Sequence, residues 1–135
     1  MCEHRTYVLR MKARTILVVD DETELREVVG QVLSEAGHRV IFAEDGSKVA
    51  RLVASETVDL VITDVIMPER DGMQVITELR RKHSGIRVIA MSGGGHIPRQ
   101  QYLKMAQNLG AHAILEKPFT APELMATVES VLSEK

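Results

Sequence analysis

The sequence predicts a three-layer α/β fold: a doubly wound, five-stranded parallel sheet with five helices on its two faces. Two observations carry that prediction. Five short apolar runs rich in β-branched residues alternate with five stretches whose apolar residues recur at three- and four-residue steps. The runs are also continuous rather than alternating, the mark of strands covered on both faces. Strands separated by helices pair in parallel through right-handed crossovers and stack in layers. The 135 residues fit one domain, and with aromatics at 3% its core must be Val, Ile, Leu, Ala and Met.

Each element has its own signal. TILVVD (15–20) is the first strand, and Leu25, Val28, Val29, Val32, Leu33 and Ala36 mark one face of a helix that Gly37 stops. RVIFA (39–43) is the second strand, followed by a short helix with Val49, Ala50, Leu52 and Val53. DLVIT (59–63) is the third strand, and the loop after it turns on Pro68 and Gly72. Met73, Val75, Ile76 and Leu79 give a third helix that closes before Gly85. IRVIAMS (86–92) is the fourth strand, and the glycine-rich GGGHIPRQ loop follows. Tyr102, Met105, Ala106 and Leu109 suggest a fourth helix ended by Gly110; AHAILEK (111–117) is the fifth strand. Thr120 and Glu123 form a capping box, with Pro122 in the first turn, for a last helix carrying Leu124, Val128, Val131 and Leu132.

Composition excludes several classes. A net charge of −2 offers no global basic field for nucleic acid or anionic membrane. No apolar run approaches the ~20 residues of a membrane span. Cys2 is the single cysteine, which rules out an intrachain disulfide framework and fits a reducing cytoplasm. The opening MCEHRTYVLRMKAR lacks the apolar core of a secretory signal and reads as an extension, residues 1–13, ahead of a domain at 14–135. His4, His38, His83, His96 and His112 show no metal-ligand spacing and are expected at the surface.

In doubly wound sheets, ligands bind outside the carboxyl ends of the strands. The residues standing there are Asp20 and Asp21 after strand one, Asp64 after strand three, Ser92 after strand four and Lys117 after strand five. Clustered carboxylates repel one another and call for a cation; oxygen-only ligands suit a hard divalent ion, Mg²⁺ where phosphate is involved. An ionised Asp64 can attack phosphorus to form an aspartyl phosphate. Lys117 can then neutralise part of the phosphoryl charge, and the Ser92 hydroxyl can donate to another oxygen. The bland alternatives are that Asp20 and Asp21 cap the first helix, that Ser92 is an ordinary loop serine and that Lys117 is a surface lysine. The acid set taken together with Lys117 weighs against them.

In order along the chain, VVDDE, DLVITDVIMPERDG, VIAMSG and EKPF resemble the motifs of the response-regulator receiver domain of two-component signalling, over about residues 14 to 134. The resemblance implies the flavodoxin-like strand order 2-1-3-4-5. It implies Asp64 as phosphoacceptor, and Mg²⁺, with Mn²⁺ as an alternative, held by Asp20, Asp21, Asp64 and the backbone carbonyl of Ile66. It further implies Ser92 and Lys117 as phosphoryl-stabilising switch residues and a cis bond before Pro118. Pro68 and Gly72 would then fix the turn that carries Asp64 and the Ile66 carbonyl.

Three positions depart from the family pattern. Ile114 stands where a switch aromatic is usual, so the ring half of that switch is missing. The stretch from Ser92 to Lys117 is longer than expected, by about one helical turn. Ile66 is apolar where many relatives are polar. The function expected is that of a phosphoacceptor taking a phosphoryl group from a histidine kinase or histidine phosphotransfer protein. It would signal to a downstream protein through the fourth helix, fifth strand and fifth helix, with no direct contact to nucleic acid or membrane. Only SEK follows the last helix, which favours a stand-alone receiver without an output domain. The alternative is a receiver-fold module that binds partners independently of phosphorylation. An enzyme of the haloacid-dehalogenase type would need a second acid where Ile66 stands; beyond slow self-phosphorylation and self-dephosphorylation, no enzyme activity is expected.

Overall fold

A computed structural model describes residues 13–65, 72–93 and 99–133. The elements are β1 (Thr15–Val19), α1 (Thr23–Glu35), β2 (Arg39–Ala43), a 3-10 turn (Gly46–Lys48), α2 (Val49–Ser55), β3 (Leu60–Asp64), α3 (Gly72–Lys82), β4 (Arg87–Gly93), α4 (Arg99–Leu109), β5 (Ala113–Lys117) and α5 (Ala121–Ser133). The sheet order is β2-β1-β3-β4-β5, parallel throughout. Both the order and the five-helix count among the described residues match the expectation.

The continuous apolar runs are explained by the two faces they serve. Successive strand side chains point to opposite sides. Leu17, Val19, Val61, Val88 and Ala90 face one cluster with Val49 and Val53 of α2 and Val75, Ile76 and Leu79 of α3. Ile16, Val18, Leu60, Ile62, Ile89, Met91 and Leu115 face the other, with Val29 and Leu33 of α1 and Leu124, Val128 and Val131 of α5. Every strand residue of β3 is buried, as befits its place at the centre of the sheet. Burying each such side chain stabilises the fold by roughly 1.5–3 kcal/mol.

The ends of the helices follow their sequence signals. After α1, Gly37 has φ 97°, and the amides of Gly37 and His38 donate to the carbonyls of Ser34 and Leu33, a Schellman closure that needs a residue without Cβ strain. At α5, the Thr120 amide donates to Glu123 Oε1 at 2.9 Å and the Glu123 amide to Thr120 Oγ1 at 3.2 Å, the reciprocal capping box.

Two expectations are corrected. Val28 was assigned to the buried face of the first helix but is 59% exposed; it stands at the flank of the stripe defined by Val29 and Leu33. His38 was expected at the surface but is buried, because it closes the sheet ahead of β2: its Nδ1 accepts from the Arg14 amide at 3.1 Å. His112 plays a similar part ahead of β5. Half-buried, it accepts from the Val88 amide at 3.0 Å through Nδ1. His83 is half-buried too, and His4 and His96 lie outside the described residues.

Candidate functional site

The register of the sheet brings the carboxyl ends of β1, β3 and β5 to one edge. Val19 pairs with Thr63, Asp64 with Met91, and Gly93 with Lys117. Order reverses between β1 and β3, the crevice where doubly wound sheets bind ligands.

Asp20 follows β1 directly and is fully buried. A buried carboxylate is tolerated only when its oxygens are hydrogen-bonded or paired. Here Oδ1 accepts from the Glu22 amide at 2.9 Å and Oδ2 from Lys117 Nζ at 2.8 Å. Its backbone is held as well: the amide donates to the Ala43 carbonyl at 3.2 Å, and the carbonyl accepts from Arg26 Nη1 at 2.6 Å. Asp21 is exposed. Asp64, the last residue of β3, is 6% exposed and accepts from Lys117 Nζ at 3.0 Å. The next amide, of Val65, donates to the Met91 carbonyl, so sheet pairing continues past the acid and fixes where it stands. Asp20, Asp21 and Asp64 each bring a carboxylate oxygen within 4.8 Å of the others.

Lys117 ends β5 and reaches across β4 to this cluster, with a third contact to Glu22 Oε1 at 3.4 Å. Burial is the largest single influence on its pKa and lowers it. The hydrogen bonds to Asp20 and Asp64 and the charges of both acids together outweigh burial, so the net pKa lies well above the ordinary lysine value. The ammonium is therefore locked in its charged form at any physiological pH. The Lys117–Pro118 peptide bond is cis. A groove lined by Glu22, Leu25, Lys117, Pro118 and Phe119 opens beside the acids.

The structure thus brings Asp20, Asp21, Asp64 and Lys117 together. Neither Asp20 nor Asp21 is itself the N-cap of α1: that residue is Glu22, which makes no side-chain capping bond and whose amide donates to Asp20 Oδ1. Ser92 lies one residue from the end of β4, opposite Glu116; its side chain lies outside those described. Ile66 lies outside the described residues, as do Pro68 and the rest of the loop to residue 71. The side chain of Tyr102 is likewise outside them. Ile114 is half-buried and packs against the core cluster that also takes Leu109 and Ala111. Arg26 was not singled out from the sequence. Its one signal was a positive charge in the first turns of a helix, where the dipole disfavours it and another interaction must compensate.

Comparison with known proteins agrees with this geometry. The family model for the response regulator receiver domain matches residues 16–129. The DNA-binding transcriptional regulator NtrC of Azospirillum brasilense is 37% identical over 123 residues, covering 91% of this chain and 25% of that protein. The transcriptional regulatory protein CpxR of Klebsiella pneumoniae is 34% identical over 87% of this chain and 48% of its own length. The chain therefore spans between a quarter and a half of these curated relatives. Among solved structures, NtrX from Brucella abortus superposes with a TM-score of 0.82 at 31% identity, covering 90% of this chain and 27% of that one. The chemotaxis protein CheY4 of Vibrio cholerae gives 0.79 at 25% identity, covering 89% and 99% respectively. From the acidic cluster at the strand ends, the β2-β1-β3-β4-β5 sheet and the match over residues 16–129, the chain belongs to the response regulator receiver domain family of two-component signalling.

Proposed function

We propose that Asp64 is the phosphoacceptor of this receiver domain and takes a phosphoryl group from a histidine kinase or a histidine phosphotransfer protein. One observation carries the reading: the Asp64 carboxylate shares Lys117 Nζ with Asp20 and lies with Asp20 and Asp21 in one cluster of oxygens. A carboxylate oxygen of Asp64 attacks phosphorus in line. The new O–P bond forms as the P–N bond to the donor imidazole breaks, and the imidazole leaves with its electron pair and takes up a proton. Lys117, 3.0 Å from Oδ2, stands ready to pair with the transferred oxygens. Ser92 at the end of β4 is the proposed hydroxyl donor to them, and Ile66 the proposed source of a backbone carbonyl ligand.

The donor set fits a hard divalent cation. Three carboxylates against one ammonium leave a formal deficit of two positive charges, and every ligand atom is oxygen. Mg²⁺, with Mn²⁺ as a substitute, would be held by Asp20, Asp21 and Asp64. When bound it supplies charge neutralisation at the phosphoryl oxygens. The partner that reads the phosphorylated state is proposed to be a protein docking on α4, β5 and α5, where Gln100, Lys104 and Gln107 are exposed. The phosphorylated state shifts a two-state equilibrium at that face. The net charge of −2 offers no global basic field for direct nucleic-acid contact, and the proposed place of action is the cytoplasm. Among the described residues no helix is long and apolar enough to cross a membrane.

The test is to incubate the protein with Mg²⁺ and acetyl phosphate or phosphoramidate and to weigh the intact chain. One added phosphoryl group that requires the metal and is absent in Asp64→Asn is the expected result. No gain from either donor, in folded protein that binds Mg²⁺, would favour a second reading: a receiver-fold module that binds its partner regardless of phosphorylation. Ile114 favours that reading, because a packed aliphatic side chain at this position cannot relay the state of the site through a swinging ring.

A further inference from the structure

The two acids after β1 are held very differently. Asp20 is fixed through both carboxylate oxygens, its amide and its carbonyl. Asp21 has no hydrogen bond or ion pair among the described residues, and its side chain is exposed. What sets the direction of Asp21 is then its backbone, and above all the peptide that joins it to Asp20. A change in ψ of Asp20 would carry the Asp21 backbone, and its side chain with it, away from the cluster. The carbonyl of that peptide is the group that Arg26 grips at 2.6 Å.

Arg26 is built for this. It leaves α1 a turn after the helix start and folds back, with Nη2 reaching Thr23 Oγ1 at 3.4 Å and Nη1 reaching the Asp20 carbonyl. It is half-buried, and among the described residues its hydrogen bonds go to a carbonyl and a hydroxyl, not to a carboxylate of the cluster. A guanidinium that served only to offset acid charge would pair with a carboxylate. Spending a charge-assisted bond on a peptide carbonyl fixes geometry instead. We infer that Arg26 is a positioning residue: by clamping the Asp20–Asp21 peptide it holds Asp21 in ligating distance of the other acids and so sets the affinity of the divalent-cation site. This rests on the cation reading of the cluster given above.

The sign of the effect separates this role from simple electrostatics. Removing a positive charge beside three acids strengthens cation binding if charge alone matters. Removing a clamp weakens it, and outer groups that orient metal ligands typically change affinity by 10–100-fold. The full chain is titrated with Mn²⁺, with free ion followed by electron paramagnetic resonance and Mg²⁺ measured by competition. Unfolding in EDTA reports stability separately. Arg26→Met removes donor and charge and is expected to weaken both ions roughly 3- to 10-fold, less than the typical range because the charge effect opposes it. Arg26→Gln, equally neutral but with an amide donor, is expected to lose less. Equal or tighter binding in both variants overturns the proposal. So does a loss of stability in EDTA with unchanged affinity, which marks a structural role only. If Arg26→Met does not fold, Arg26→Gln still decides by sign: weaker than wild type supports the clamp, and tighter or equal refutes it. Failure of the wild-type chain to bind either ion overturns the cation reading itself and the inference with it.

Discussion

Replacing Lys117 by methionine removes the ammonium and keeps most of the aliphatic stem. In the folded chain that ammonium is 2.8 Å from Asp20 and 3.0 Å from Asp64, with its side chain 14% exposed and the two acids 0% and 8%. At an effective dielectric of 20, each contact is a gross attraction of about 5–6 kcal/mol, largely offset by desolvation. The decisive quantity is what remains behind: two buried carboxylates without their cation, oxygens within 4.8 Å of each other. Breaking a buried pair from one side costs about 3–5 kcal/mol. Exposed Asp21 and Glu22 show that water reaches the rim of the cluster, which argues for the lower end, about 3 kcal/mol. The assay is urea unfolding followed by far-ultraviolet circular dichroism, since the chain has no tryptophan. In EDTA the variant should lose about 3 kcal/mol with an unchanged slope. In Mg²⁺ much of that should return, because the ion takes over the missing charge; at 100 times its Kd a ligand adds about 2.7 kcal/mol. The stabilisation by Lys117 also has a defined pH window. Its folded pKa is raised above the ordinary 10.5, so the contribution is complete below 10.5 and is lost only as pH rises through the raised value. Methionine abolishes that alkaline loss. A loss below about 0.5 kcal/mol in EDTA would refute the idea that Lys117 balances the acids, as that is the scale of an ordinary surface change.

Two further outcomes follow from parts of the fold away from the site. Burial first, and then the Arg14 charge, push the His38 pKa below its ordinary 6.5, against the smaller opposing effects of Glu129 and Asp59. The unfolded chain therefore takes up a proton that the folded chain refuses. The contribution of His38 is complete above pH 6.5 and declines as pH falls through 6.5 towards the depressed folded value. Urea titrations between pH 7.5 and 5 should show this slope in wild type and a shallower one in His38→Gln; equal slopes would refute the assignment. At Gly30 on α1, an added Cβ would collide with Cζ of the Phe42 ring. Gly30→Ala should then destabilise by about 1 kcal/mol, the lower end of overpacking because the ring is 45% exposed and can shift. In a Phe42→Ala background the same change should stabilise by about 0.5–1 kcal/mol through helix propensity. The same sign in both backgrounds, by denaturant unfolding, would show that the ring contact does not control the site.

The strands were legible because burial on both faces leaves an unbroken apolar run, as in Ile16–Val19 and Leu60–Ile62. The stops at Gly37 and Gly110 were legible because both adopt the positive φ that only glycine takes without strain. Val28 shows the limit of helical periodicity. It satisfies the three- and four-residue spacing from Leu25 and to Val32, yet a stripe this wide runs past the edge of the contact with the sheet. Strand order was not legible from alternation at all. Five strand–helix units are compatible with several orders, and only resemblance to the receiver family supplied 2-1-3-4-5.

The site was legible in its acids and lysine because the place of binding in a doubly wound sheet is dictated by topology, so whatever follows each strand must converge. The supporting groups were hidden for the opposite reason. Arg26 acts on a backbone carbonyl six residues earlier, and His38 and His112 each accept a backbone amide 24 residues away. A main-chain partner carries no residue identity, so no pattern of side chains can announce such a bond. Side-chain motifs reveal the groups that meet a ligand; the groups that hold those in place emerge only once every buried donor and acceptor has been traced to its partner. Among the described residues that tracing separates Asp20, held at every polar atom, from Asp21, held only through the peptide that Arg26 clamps. The weak point of the cluster is therefore the exposed acid, and its position depends on a residue of the helix that follows it rather than on the strand that precedes it.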